Sequence, residues 1–273
     1  MKTKIVNAKQ NCYTIIMSKN KKIIIVAVII LLIVGVMATV MSSGQPAGNA
    51  GSAPQIEIEN TKNADLKGEN KVKIACVGDS ITFGYGVSSR ASNCYPALLQ
   101  QKLGEGYEVG NFGVNGTTVQ SFGDEPYIKT SKYTASREFD ADILVFMMGT
   151  NDANTFNWKD ADAFKTELCG LLDSYIEGEK KPQVYLCTPS RSVMIEGLSA
   201  ADAKAGVTGF DVQVDVIPVI GDVVKSVAAE RGYGLVDIYA VTAEHPEWVA
   251  KDGVHPNNEG AAAIAEAVYQ AVK

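Results

Sequence analysis

Histidine and cysteine are scarce in this chain: 2 and 5 among 273 residues. No Cys-x-x-Cys pair occurs, so the spacing that zinc or thiol redox chemistry requires is missing. With two histidines and no cysteine cluster, neither a metal nor a cofactor is expected. No glycine-rich loop opens a helix after a strand in the form that cradles phosphate. Cys76 and Cys187 fall inside apolar runs, where a thiol behaves as a small buried hydrophobe. Free thiols are expected at Cys76, Cys94, Cys169 and Cys187, and the sequence assigns no disulfide among them. There is no internal repeat.

Charge is absent from Ile23 to Met41, a run of 19 residues dominated by Ile, Val, Leu and Met. At about 1.5 Å per helical residue it comes close to spanning a hydrocarbon core of about 30 Å. Acidic residues are absent from the 22 positions before it, whose six charges are all lysines. Lysine-rich flanks stay in the cytoplasm, so the C-terminal part is expected outside. The organisation expected is a cytoplasmic tail at 1–22, a signal anchor at 23–41, a spacer at 42–70 and a catalytic domain at 71–273. A cleaved signal peptide, giving a secreted protein, is the rival reading. Such peptides have apolar regions of about 7–15 residues that end at small residues. This run is longer, and Val40-Met41-Ser42-Ser43-Gly44 is a poor cleavage site.

Of 25 basic and 31 acidic residues, the six N-terminal lysines leave 19 basic against 31 acidic, a net −12 for the rest. So acidic a domain is a poor partner for nucleic-acid phosphates, and no nucleic-acid binding is expected. Ser42 to Asn70 is rich in Gly, Ser, Ala, Pro and Asn and reads as a flexible spacer.

Beyond the spacer, apolar runs alternate with helical patterns. Strands are expected at Val72–Val77, Tyr107–Phe112, Ile143–Met148, Val184–Thr188 and Gly234–Ile238. Helices are expected at Pro96–Leu103, Ala161–Glu177, within Val212–Glu230 and at Glu259–Val272, with Pro218 either in a first turn or at a kink. Continuous apolar strands alternating with helices imply an α/β fold, a parallel sheet covered on both faces. Ligands of such sheets bind beyond the carboxyl ends of the strands.

Three separated blocks carry the chemistry: Gly78-Asp79-Ser80, Gly149-Thr150-Asn151-Asp152 and Asp252-Gly253-Val254-His255-Pro256. Ser80 follows the first strand, between glycines that let the backbone turn and leave a hydroxyl exposed. The plainer reading is a helix start capped by Asp79 or Ser80. His255 is the candidate base, and Asp252 can hold its imidazole in one tautomer. His245 competes, but no aspartate stands just before it, and Glu244 and Glu247 suggest a solvated loop. Asn151 offers a side-chain N–H and Gly116 a backbone N–H, which with the Ser80 N–H could hold an oxyanion. Ordinary caps and turns are the alternative for both.

These blocks resemble the GDSL esterases, also called SGNH hydrolases, over most of Lys71–Lys273. The resemblance implies a three-layer α/β/α sandwich, flavodoxin-like, with a five-stranded parallel sheet. It implies Ser80 as nucleophile, Gly116 rather than Gly113 and Asn151 as oxyanion donors, and Asp252 and His255 as acid and base. The family often has leucine where Ile81 stands, an apolar exchange without chemical consequence. Members act on acetylated sugars, lipids, thioesters and arylesters without a metal. An exported, anchored member is expected to meet glycans, and the segments around Asn115–Trp158 look similar to members that act on acetylated carbohydrates. Asp79, Asn115, Asp152 and Trp158 are the candidate substrate-binding residues. Phe122, Tyr127, Tyr133 and Phe156 are further loop aromatics that could stack on sugar rings or line an acyl pocket. A small-acyl carbohydrate esterase is the expectation. A lysophospholipase or thioesterase of the same family is the alternative within the fold, and a surface-anchored, non-catalytic binding protein the alternative outside catalysis.

Overall fold

Five apolar stretches build one fully parallel sheet: β1 (Val72–Gly78), β2 (Tyr107–Gly113), β3 (Ile143–Met147), β4 (Gln183–Cys187) and β5 (Gly234–Val236). The structure, a computed structural model, describes residues 71–194, 208 and 210–273. The strand order is β2-β1-β3-β4-β5, the order of flavodoxin-like sheets. The chain leaves β1 toward one edge and returns to its other side at β3. Gly78, the last residue of β1, is paired with Gly113 of β2 and with Met147 of β3.

Side chains alternate across a strand, so β1 and β3 supply two cores. Ala75, Val77, Leu144 and Phe146 face one layer, with Phe164, Leu168, Ile217, Ile220 and Val224. Ile74, Cys76, Val145 and Met147 face the other, with Tyr95, Leu99, Ile264 and Val268. Burial on both faces is why Ile74–Val77 of β1 and all of β3 read as unbroken apolar runs.

The described helices, in chain order, are α1 (Ser80–Phe83), α2 (Arg90–Asn93), α3 (Tyr95–Leu103), α4 (Ser131–Glu138), α5 (Ala161–Ile176), α6 (Val216–Arg231), α7 (Ile238–Thr242) and α8 (Asn258–Val272). Asp160 caps α5 by accepting from the Ala163 N–H at 2.7 Å, and Phe164, Leu168, Leu171, Leu172 and Tyr175 form its buried face. Asn257 caps α8 through the Gly260 N–H. Pro218 stands in the first turn of α6, where its missing N–H has no helical partner to lose, so it need not kink the helix.

The fifth strand ends two residues before the expected Ile238. Asp237 accepts from the Ala240 N–H at 3.1 Å, and that cap turns the chain into α7. Helix α4 was not anticipated. Ser136 is its only fully buried residue, so it carries no apolar stripe.

The described cysteines are unpaired: Cys76, Cys94 and Cys187 are buried and Cys169 half-buried. Burial pushes the Cys76 thiol up to about 12. Among the described residues no helix is long and apolar enough to cross a membrane. The expected tail, anchor and spacer, residues 1–70, lie outside the described residues.

Candidate active site

The carboxyl ends of β2, β1 and β3 lie side by side, and each carries one block of the candidate site. Ser80 comes two residues after β1, Gly116 three after β2 and Asn151 four after β3. Because β1 lies between β2 and β3, loops bearing the two candidate donors flank the serine.

Ser80 opens α1, whose N-cap is Asp79. The Asp79 carboxylate accepts from the Ile81 N–H at 2.9 Å, a cap worth about 1 kcal/mol. A Cβ on Gly113 would fall 2.1 Å from the Phe83 nitrogen, so only glycine lets α1 settle on the end of β2. Asn111 fastens the same contact: its amide donates to the Thr82 carbonyl at 2.9 Å.

His255 arrives from the loop before α8. Its Nε2 lies 2.8 Å from Ser80 Oγ, and its Nδ1 lies 2.9 Å from Asp252 Oδ2. Asp252 Oδ1 accepts from the Val254 and His255 N–H groups, each at 2.9 Å. Partial burial raises the Asp252 carboxyl. The imidazole and the two backbone N–H groups outweigh that and hold it below the usual carboxylate value. An ionised carboxylate at Nδ1 fixes the tautomer that leaves Nε2 free to accept from the serine. His245 is elsewhere, stacked on Trp248 at 3.6 Å and 2.7 Å from Glu247.

The loops after β2 and β3 are laced together. Asp152 is fully buried, and its two oxygens accept from the Val119 and Gln120 N–H groups at 2.9 Å. Asn151 Nδ2 donates to the Thr117 carbonyl at 3.0 Å, leaving the amide's second N–H for another acceptor. Asn157 donates to the Asn151 carbonyl, and Gln120 to the Asn157 carbonyl, both at 3.0 Å. Gly116 has φ +78° and open space around the position of a Cβ.

Two buried carboxyls underlie the site. Burial pushes Asp152 up to about 7 against the pull of its two backbone donors. Burial pushes Asp79 up to about 6, opposed by the Ile81 N–H, His255 and Thr150. Asp79 Oδ2 has no hydrogen bond of normal geometry, although Thr150 stands within electrostatic reach.

Of the candidate substrate-binding residues, only Asn115 is exposed. Asp79 caps α1, Asp152 clamps the neighbouring loop, and Trp158 is half-buried against the core, 6.4 Å from Phe164. Tyr127 is buried with its hydroxyl donating to the Phe112 carbonyl, and Tyr133 packs edge-on against Tyr127 and Tyr175. Phe122 and Phe156 do face solvent. No sequence motif pointed to Tyr85 and Phe210, whose rings lie 4.4 and 5.4 Å from the His255 ring.

A parallel 2-1-3-4-5 sheet carrying Ser, His and Asp in one hydrogen-bonded line defines a class of α/β protein whose side chains have the geometry for acyl transfer through serine. Residues 76–263 match the GDSL-like lipase/acylhydrolase family, and the chain belongs to this family. It is 31% identical over 222 residues to an acetylxylan esterase of Xylanibacter ruminicola. That alignment takes in 75% of this chain, which spans only 44% of the relative's length. Among solved structures it resembles a carbohydrate acetylesterase family member from Sinorhizobium meliloti (TM-score 0.59, 22% identity, 73% of this chain and 96% of the other). It also resembles a putative arylesterase from Agrobacterium tumefaciens (TM-score 0.57, 21% identity, 72% of this chain and 96% of the other). At those identities the likeness is one of fold.

Proposed function

We propose that this protein is a serine esterase that removes small acyl groups, chiefly acetyl, from carbohydrates. The observation that carries the reading is the line Asp252–His255–Ser80, with contacts of 2.9 and 2.8 Å. As Ser80 Oγ attacks the ester carbonyl, His255 Nε2 takes its proton, and the Asp252 carboxylate stabilises the imidazolium that results. The second N–H of Asn151, with the backbone N–H groups of Gly116 and Ser80, receives the negative oxygen of the tetrahedral intermediate. His255 then passes the proton to the leaving alcohol. Water repeats the sequence on the acyl-serine and frees the acid. No step calls for a metal.

The acetyl and carbohydrate parts of the proposal draw support from the acetylxylan esterase to which the chain is 31% identical. We propose further that residues 23–41 anchor the chain in the membrane with the catalytic domain outside. The uncharged run and the six lysines before it support that reading.

The test is turnover by the full chain of chromogenic esters of increasing acyl length, together with acetate release from acetylated xylan. Acetyl esters should be the best of the series, and acetate should be released from the polysaccharide. A preference for long acyl chains or for thioesters would replace the carbohydrate reading with a lipid or thioester one. Absence of turnover on every ester would leave a non-catalytic binding protein.

A further inference from the structure

Two half-exposed aromatic side chains stand against the His255 imidazole. The Tyr85 ring lies 4.4 Å from it, tilted by 46°, and the Phe210 ring meets it edge-on at 5.4 Å. The two rings are 6.3 Å apart at 86° to each other, and 44% and 46% of their residues' surface is exposed. Among the described residues they form an open corner rather than an enclosed tunnel.

The main chain that carries each ring is tied to the loops that carry the site. The Tyr85 N–H donates to the Ser80 carbonyl at 2.9 Å, directly beyond α1. The Phe210 carbonyl accepts from Asn154 Nδ2 at 3.0 Å, and the Thr155 N–H donates to the Asp211 carbonyl at 3.1 Å. Asn154 is three residues past Asn151. On a main chain fixed in this way, a ring with only two side-chain torsions presents apolar surface at a low entropic cost on binding.

Which part of an ester they would touch follows from proton transfer, and so rests on the reading of His255 as the base. The proton removed from Ser80 sits on Nε2 and goes to the leaving oxygen. The alcohol must therefore lie against the imidazole, while the oxyanion points toward Asn151 and Gly116. Rings that abut the imidazole meet the alcohol, not the acyl group. We propose that Tyr85 and Phe210 form the subsite for the leaving alcohol and that this alcohol is a sugar ring. The C–H face of a pyranose packs on an aromatic surface, its hydroxyls stay in water through the open corner, and the Tyr85 phenol offers a hydrogen bond. An extended alkyl chain would need an enclosure that the described residues do not form here.

The experiment holds the acyl group constant and changes the alcohol. kcat/KM is measured on mono-acetylated xylose and on ethyl acetate for the parent, Tyr85→Ala, Phe210→Ala and Phe210→Tyr. Each alanine variant should lose roughly two- to tenfold of the preference for the sugar ester, mainly through KM. Phe210→Tyr, which keeps the flat ring, should retain it. Half-exposed rings contribute little to the core, and the melting temperature of each variant checks this. If an alanine variant is destabilised, Phe210→Leu replaces it, keeping apolar bulk without a flat face and losing the same preference. Equal losses on both esters, or no loss, would overturn the proposal. Absence of turnover by the parent would overturn both this proposal and the esterase reading. Turnover with unchanged preference in the variants would overturn this one alone.

Discussion

Ser80 Oγ lies 2.8 Å from His255 Nε2, although 175 residues separate them. A clasp between the same two regions of chain helps to hold them in register. The Ser88 N–H donates to Asn258 Oδ1 at 2.9 Å, and Asn258 Nδ2 donates to Ser88 Oγ at 2.8 Å. On the histidine side the Ala250 N–H donates to the His255 carbonyl at 2.7 Å. The contact thus rests on β1 and on a braced loop before α8, not on two free side chains.

Removal of the Ser80 hydroxyl should stop ester turnover and leave the protein folded. Loss of the serine from a hydrolase triad can lower kcat on the order of a million-fold. Ser80→Ala should lower the unfolding free energy by no more than about 1–3 kcal/mol, since it leaves the buried His255 Nε2 without its partner. Kinetics and urea unfolding on the same preparation check both halves. A variant with near-parental turnover would take Ser80 out of the reaction.

The two histidines should behave oppositely. His255→Ala should be nearly as damaging as Ser80→Ala. His245→Ala, which loses only the exposed contacts to Trp248 and Glu247, should leave kcat close to the parent value. Parallel assays decide the matter, and reversed effects would move the base to His245.

Asn151 separates transition-state stabilisation from local structure. Loss of one oxyanion donor is worth about 2.7–4 kcal/mol, or roughly a hundred- to a thousand-fold in kcat with less change in KM. Asn151→Ala should show that loss. Asn151→Asp should be worse, because an ionised carboxylate would face both the Thr117 carbonyl and the growing oxyanion with like charge. If Asn151 serves only as a brace, both variants will lower the melting temperature and leave kcat intact.

Asp79 should give folding stability a pH dependence of defined sign. Its carboxyl is raised from 3.8 to about 6. Between those values the folded protein keeps a proton that the unfolded chain has released, so stability falls as pH rises through the window. Below the window both states are protonated and the group contributes nothing. Above it the full cost of the buried charge is present, on the order of 3 kcal/mol. Asp79→Asn keeps an oxygen for the Ile81 N–H but cannot ionise. Its stability relative to the parent should therefore climb between about pH 4 and pH 6 and then level off. Urea unfolding across that window measures it, and a difference independent of pH would show that Asp79 titrates alike in both states.

The proposed anchor predicts a topology. Protease added outside intact cells should cut within residues 42–70, where the sequence is polar and small, and release an active soluble fragment. A mature N-terminus at Ser43 or beyond, with activity already in the medium, would instead show a cleaved signal peptide.

The five strands could be read from the sequence because β1, β3 and β4 are buried on both faces and leave continuous apolar runs. The principal helices were readable because Phe164, Leu168 and Leu172 in α5, and Ile264 and Val268 in α8, recur at helical spacing. Helix α4 escaped because almost nothing in it is buried. Ser80, Asn151, Asp252 and His255 were visible because their blocks stand directly past strands or before a helix.

Other features depend on contacts between distant segments, and no local pattern encodes those. Asp79 and Asp152 look like ordinary loop carboxylates, and only the packing of neighbouring loops buries them. Tyr85 and Phe210 belong to no motif and meet at His255 from three separate regions of chain. Trp158 and Tyr127 read as loop aromatics open to substrate, but lie against or within the core. The sequence by itself determined which residues could do acyl chemistry and that a parallel sheet would present them at one edge, because periodicity and motif spacing are local properties. The tertiary structure alone decided which carboxyls lose water and which rings stand against His255, because the strand order 2-1-3-4-5 and the braced loops bring together residues from far apart in the chain.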